Sequence, residues 1–487
     1  MTLNRRRFLG TACAGGLAAL GGTGALAQVA GVALAPLTST PPARRPPPSA
    51  AQLIGAARLD AQVGFAALRP DGTVLDARDA DAGLPPASTL KTVTALYALD
   101  RLGPAHRFAT RVLLDGDTLV LAGGGDPVLD SDALARLAAD ASAALAGRPV
   151  ARFLVWGGAL PRVNEIAPPQ ADHLAYNPSL SGIMLNFNRV HLGWRGTQLS
   201  LTARGEDVAP RAYSIRVAVA DRGAPLFAYD GDRATENWTI AARGMGKYGS
   251  WWLPVRRPEL YAGDVFQTLC RAEGLVLPAA EIGHDAPTGA EIARNDSPPL
   301  REILRDMLHY STNLTAEAVG LAASGADDQA ASAAAMAGWL RGRGTPGEFH
   351  FADHSGLSPE SRISPLTLAR VLVAPAAVAA LDGIMKPDPL REALGAESRG
   401  AHVRAKTGTL NFVSNIAGYA ADGITFAILT ADEGRLAATA GADLPDGVLS
   451  WTVRSKRLQR DLIERFERLA AEPQRHVTFD SMDDARG

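Results

Sequence analysis

Ser88-Thr89-Leu90-Lys91 starts just after a break at Pro85-Pro86 and runs into Val93, Leu96, Tyr97 and Leu99, apolar residues at largely helical intervals. Helix positions three apart share a face, so the Ser88 hydroxyl and the Lys91 amine come within reach of each other. Serine is a poor nucleophile until a neighbour takes its proton, and a lysine can do so once desolvation or a second cation lowers its pKa. Arginine cannot, because it keeps its proton. The distinction matters because only five of the 49 basic residues are lysine: Lys91, Lys247, Lys386, Lys406 and Lys456. A chain that uses arginine almost everywhere keeps lysine three residues after a helix-start serine.

Two further strings offer matching chemistry. Ser311-Thr312-Asn313 follows the apolar set Ile303, Leu304, Met307 and Leu308, so a hydroxyl and a carboxamide project where a helix ends or turns. Lys406-Thr407-Gly408-Thr409 stands at the end of an expected strand, where glycine admits a close backbone and lysine supplies a second cation. Each string alone has an ordinary structural explanation: a helix cap at Ser88, solvated polar groups at Ser311 and Asn313, an edge-strand guard at Lys406. In this order, S-x-x-K, S-x-N and K-T-G form one acyl-transfer set.

These residues need positioning elements, and the pattern supplies them. Val63–Leu68 and Thr73–Ala77 flank the turn signal Arg69-Pro70-Asp71-Gly72 as a hairpin would. From about 108 to 289 the chain breaks into short strand-like pieces, such as 111–114, 118–121 and 213–219, between Gly, Pro and Asp turns. Helical patterning returns over 300–323, and 401–406, 413–419 and 424–430 read as three strands. A closing amphipathic helix over 451–469 carries Val453, Leu458, Leu462, Phe466 and Leu469, a stripe that fits packing on a sheet better than lying on a membrane.

At 487 residues two or three domains are expected. The expected arrangement is a discontinuous catalytic domain of 51–107 plus 290–471, inserted material over 108–289 and a tail over 472–487. The start is an address: Arg5-Arg6-Arg7-Phe8-Leu9 resembles a twin-arginine export signal, and the apolar stretch ends in Ala25-Leu26-Ala27. Residues 1–27 are therefore expected to be a cleaved signal peptide and 28–50 a proline-rich linker, giving a periplasmic or otherwise extracytoplasmic protein. The alternative is an uncleaved anchor, the one expected membrane contact. A charged fraction of 21% with a net charge of only −2 argues against nucleic acid as a partner. Cys13 falls in the signal, which leaves Cys270 alone, and no His-Glu-x-x-His or paired-cysteine string occurs. No disulfide, metal or cofactor is expected.

The three motifs, with Gly123-Gly124-Gly125-Asp126-Pro127 and Asp353-His354-Ser355-Gly356-Leu357-Ser358, resemble the D-alanyl-D-alanine carboxypeptidase/endopeptidase family, the class C low-molecular-mass penicillin-binding proteins. The 223 positions between Ser88 and Ser311 fit this family, whose inserted domains fill that gap, better than serine β-lactamases, whose first two motifs lie closer. The resemblance implies an α+β fold, an antiparallel sheet flanked by helices with a large two-part insertion. It implies peptidoglycan stem peptides as substrate and β-lactams as covalent inhibitors. Ser88 would attack the carbonyl between two D-alanines, Lys91 would take its proton, Ser311 and Lys406 would carry a proton to the departing amine, and Asn313 would hold the substrate amide. The backbone N–H groups of Ser88 and Thr409 would form the oxyanion hole, with Thr407 and Gly408 gripping the terminal carboxylate. Asp172, with Tyr176 one helical turn on, would face the amine of the stem's diamino acid. The stretch 176–188 departs from the family's usual tyrosine-glycine-alanine wording, which puts local substrate contacts in doubt.

Three other readings stand beside this one. A β-lactamase or esterase of the same fold would lack a use for so large an insertion. A non-catalytic wall-binding scaffold would predict decay of a motif, and all three are intact. A Ser-His-Asp hydrolase lacks its usual G-x-S-x-G elbow, so His309 and His354 read as structural.

Overall fold

The computed structural model describes residues 47–472 apart from 169, 232–234 and 399–401. The expected signal peptide, most of the linker and the tail beyond Glu472 lie outside the described residues.

A five-stranded antiparallel sheet organises the part of the chain that carries the three motifs. Its strands are β1 (Gln62–Leu68), β2 (Val74–Arg78), β3 (Arg404–Leu410), β4 (Val413–Tyr419) and β5 (Thr425–Ala431), in the spatial order β3-β4-β5-β1-β2. The β1–β2 turn closes as its sequence suggests: Gly72 takes a φ of 83°, and Asp71 Oδ1 accepts from both the backbone N and the hydroxyl of Thr73.

Both faces of β1 are buried. Ala66 and Leu68 face a helical layer that includes α1 (Lys91–Leu102), α2 (Leu300–Tyr310) and α3 (Asn313–Ser324). Phe65 and Ala67 face the closing helix α4 (Val448–Ala471), whose Leu458, Leu462, Ile463 and Phe466 share their core. The Phe65 and Phe466 rings stand 5.4 Å apart. The apolar stripe of the last helix thus covers the sheet. The expected α+β architecture is what the chain adopts, and no described helix is long and apolar enough to cross a membrane.

Between α1 and α2 the chain builds a second body with its own core. A five-stranded mixed sheet joins Ala109–Asp115, Thr118–Ala122, Arg152–Trp156, Ala280–Gly283 and Ala290–Asp296, with helices Ser131–Leu145 and Pro258–Ala272 packed in the same core. Two three-stranded sheets follow within it, one of them formed by Arg189–Arg195, Gln198–Thr202 and Tyr248–Pro254.

The helical pattern over 300–323 is two helices, and the helix end expected at Ser311 is present: Ser311 turns left-handed at φ 60° and closes α2. The strand expected over 401–406 runs over 404–410, so Lys406 lies within it rather than at its end.

The Gly123-Gly124-Gly125-Asp126-Pro127 string is a packing junction. A Cβ at Gly124 would sit 2.1 Å from the Ala109 carbonyl oxygen and one at Gly123 2.4 Å from the Ile183 side chain. Asp126 is buried and accepts from the Val128 N–H, and burial pushes its carboxyl up to about 7.

Candidate active site

Ser88 sits in a short 3-10 turn, Ala87–Leu90, that runs on into α1. Asn415 of β4 fixes this turn: its Nδ2 donates to the carbonyls of Pro85 (2.8 Å) and Pro86 (2.9 Å), and its Oδ1 accepts from the Thr430 N–H of β5 (2.9 Å). Two glycines press on the same turn. A Cβ at Gly408 would stand 2.9 Å from the Ser88 nitrogen, and one at Gly356 only 1.9 Å from the Ala87 oxygen. The glycine of K-T-G therefore lets the sheet edge approach the backbone of the Ser88 turn.

Lys91 is fully buried. Its Nζ lies 2.9 Å from Ser88 Oγ, 2.8 Å from Asn313 Oδ1 and 2.7 Å from the Ser355 carbonyl oxygen. The last two can only accept. Two of the amine's positions are taken by these acceptors, and a third faces the Ser88 hydroxyl.

The loop that brings Ser355 to Lys91 is held by two buried carboxylates. Glu317 of α3 accepts from the His354 N–H (3.2 Å) and the Ser355 N–H (2.8 Å). Asp353 accepts from Gly356 N–H (3.0 Å), Ser358 N–H (2.8 Å) and the hydroxyls of Ser355 and Ser361. Burial, with Glu317 as a like-charged neighbour, raises Asp353 to about 6, and burial also raises Glu317. His354 is buried with its Nε2 2.7 Å from Ser332 Oγ, and burial pushes its imidazole down to about 4. It sits in the support, as the structural reading of this histidine expected.

The second hydroxyl and second lysine also meet. Lys406 Nζ donates to Ser311 Oγ at 2.8 Å and to the Thr407 carbonyl at 2.7 Å. Although β3 is a sheet edge, Lys406 is only 2% exposed, so it does not guard that edge against solvent. Ala87 (φ 46°) and Ser311 (φ 60°) are left-handed without being glycine, a strain of about 1–3 kcal/mol each that collects at these two serines.

Ser88, Ser311, Asn313 and Thr409 line one cleft of about 770 Å³, walled on the insertion side by Gln170, Tyr176, Phe187 and Arg189. Asn313 bridges the halves: its Oδ1 accepts from Lys91, and its Nδ2 donates to the Tyr176 carbonyl at 3.0 Å. Thr407 and Gly408 stand behind the lining. Tyr176 lines the cleft and its hydroxyl reaches Gln170 at 3.4 Å. Asp172 does not line it; its side chain is exposed and its carbonyl accepts from Arg256. The segment is a series of turns rather than a helix, which removes the face that Asp172 and Tyr176 were expected to share.

Sequence reasoning missed Asn415 and Glu317. Glu317 carried a signal, as the lone ionisable residue of α3. Asn415 carried none, since its role depends on the strand pairing that places it beneath Pro85 and Pro86.

The sequence model of the D-Ala-D-Ala carboxypeptidase 3 (S13) family matches residues 51–452. The chain belongs to that family. It is 27% identical over 402 residues to a D-alanyl-D-alanine carboxypeptidase of Actinomadura sp., covering 72% of this chain and 73% of the relative. A carboxypeptidase of Mycobacterium tuberculosis is also 27% identical, over 384 residues, covering 73% and 72%. Among solved structures, penicillin binding protein 4 of Haemophilus influenzae superposes with a TM-score of 0.65 at 18% identity, covering 84% of this chain and 98% of that one, a likeness of fold. As a member of the S13 family, the chain is a serine-type D-Ala-D-Ala carboxypeptidase, an enzyme of the extracytoplasmic cell wall.

Proposed function

We propose that Ser88 is the nucleophile of this S13 carboxypeptidase and Lys91 its base, acting on the D-alanyl ends of peptidoglycan stem peptides. The observation that carries the assignment is Lys91 Nζ, 2.9 Å from Ser88 Oγ with acceptor-only groups on its other two sides.

In acylation Ser88 Oγ attacks the carbonyl carbon of the penultimate D-alanine and its proton passes to Lys91. The peptide C–N bond breaks, and the departing amine takes a proton through the Ser311 hydroxyl, which Lys406 orients. D-alanine leaves. Water then attacks the Ser88 ester, restores the hydroxyl and frees the shortened stem. The Ser88 and Thr409 backbone N–H groups would steady the oxyanion, with Gly408 keeping Ser88 N clear of a Cβ. Thr407 and Gly408 are proposed to meet the terminal carboxylate from the sheet edge. When the leaving amine belongs to a neighbouring stem, the same steps cut a crosslink, which is the endopeptidase activity.

β-Lactams would acylate Ser88 in the same way. Residues 1–27 are proposed to direct the chain outward by the twin-arginine route.

Intact mass after incubation with benzylpenicillin, together with D-alanine release from a soluble stem peptide, tests the assignment. One adduct and D-alanine release in the wild type, both lost in Ser88→Ala, are expected. An adduct that survives in Ser88→Ala would refute Ser88, and no adduct with no release would favour a wall-binding scaffold.

A further inference from the structure

The inserted sheet of Arg189–Arg195, Gln198–Thr202 and Tyr248–Pro254 has one face in the insertion core, where Val190, Leu192 and Leu253 are buried and Trp194, Leu199, Leu201 and Trp251 pack against them. Side chains alternate along a strand, so the residues between point the other way. The register sets them in rows. Tyr248 lies opposite Arg195, and Arg195 opposite Gln198. Ser250 lies opposite Gly193, and Gly193 opposite Ser200. Trp252 lies opposite His191, His191 opposite Thr202, and Thr202 is bridged to Arg211.

The middle row is small and polar, so it forms a floor. Tyr248, 73% exposed, and half-buried Trp252 stand on either side, four residues apart on one strand and so about 14 Å from each other. Arginine accompanies the aromatic rings. The Arg211 guanidinium lies 5.0 Å from the Tyr213 ring centre, and that of Arg189 lies 5.0 Å from Phe187 and 5.5 Å from Trp252. No carboxylate occurs in these rows. The face also joins the cleft, because Phe187 and Arg189 line the cavity that holds Ser88.

We propose that this face is a docking track for polymeric peptidoglycan, along which a strand lies while one of its stems reaches Ser88. The proposal rests on the DD-carboxypeptidase reading above. A cleft of about 770 Å³ has room for a stem and not for the polymer that bears it, so the polymer must lie on the surface outside. The chemistry of the strand fits. Each stem ends in a carboxylate, so a strand is a polyanion opposite Arg189, Arg195 and Arg211. Sugar rings have apolar C–H faces that stack on aromatic side chains and hydroxyl rims that bond to serine, threonine and glutamine. Several weak contacts along one strand raise the local concentration of stems at the cleft without any new contact at the reacting bond.

The test compares substrates of two sizes. Tyr248→Ala combined with Arg195→Glu, and separately Ser250→Glu, change exposed or half-exposed positions outside the cleft. D-alanine release is measured from a soluble stem peptide and from insoluble sacculi, and binding to sacculi by co-sedimentation. Release from sacculi is expected to fall about five-fold or more, with binding, while release from the soluble peptide stays within about two-fold of wild type. Unchanged release and binding on sacculi would overturn the proposal, as would equal losses on both substrates by variants with wild-type melting. Anionic phosphatidylglycerol vesicles form the control: variants that lose vesicle binding alone would make the face a membrane contact and sink the idea. If the wild type releases D-alanine from neither substrate, the catalytic reading fails, and co-sedimentation still decides the track.

Discussion

Two glycines with nearly the same backbone separate packing against the nucleophile from backbone strain alone. Gly356 (φ 72°) and Gly325 (φ 64°) are both left-handed, so alanine costs about 1–2 kcal/mol at each through its own backbone. Gly325 caps α3 and faces open space. At Gly356 the added Cβ would sit 1.9 Å from the Ala87 oxygen, in a contact between two main chains that no side-chain rotation can relieve. Restoring even a tight contact of about 3 Å requires about 1 Å of movement in the turn that carries Ser88, and a displacement of that size at reacting groups costs about 100-fold in rate. Gly356→Ala should therefore slow acylation by benzylpenicillin by about 100-fold, and Gly325→Ala by less than about two-fold, with the larger loss of melting temperature at Gly356, where the clash adds to the backbone cost. Stopped-flow or quenched intact-mass kinetics give the rate, and calorimetry gives the stability. A Gly356→Ala protein that acylates like the wild type would refute the view that the 353–358 loop sets the position of Ser88.

Asn415→Ala strands the Pro85 and Pro86 carbonyls and the Thr430 N–H in a buried site, so urea unfolding should show a loss of about 2–4 kcal/mol. D-alanine release should show kcat falling while KM changes little, and a stability within about 0.5 kcal/mol of wild type would count against the anchor. His354 gives a pH signature: its imidazole is held neutral down to about 4, whereas the unfolded chain takes a proton near 6.5. Its contribution is therefore fully present above about 6.5 and lost as pH falls towards 4. Asp353, raised to about 6, acts in the opposite sense, favouring the fold at low pH and losing that contribution as pH rises from about 4 to 6. The difference in unfolding free energy between wild type and His354→Gln should isolate the histidine as a slope confined to pH 4–6.5, and a flat difference would contradict it.

Much of the site was legible because its chemistry depends on local spacing. Ser88 and Lys91 meet across one turn, and the scarcity of lysine marked both Lys91 and Lys406. The β1–β2 hairpin and the covering role of the closing helix followed from alternation and helical periodicity, whereas the antiparallel sheet as a whole came with the family resemblance. What failed depended on distant chain. The start of β3 is set by pairing with β4 rather than by composition. Asp172 was placed on a helix that Pro168, Pro178 and a run of turns replace. Asn415 looks like any strand residue until β4 and β5 bring it under the Ser88 turn.

The place of β1 has a consequence for how the molecule is made. Residues 62–68 are synthesised well before their partner on one side, Thr425–Ala431, and before the helix that covers Phe65, which runs to Ala471. Until residues 425–471 have been synthesised, this apolar strand can pair only with β2. The inserted body, with a core drawn from residues 112–293, can condense in the meantime, but the nucleophile's sheet cannot. Loss of the last helix and strand would therefore leave a folded insertion joined to an unassembled catalytic half, and a stalled nascent chain would present the β1 edge to proteases and chaperones.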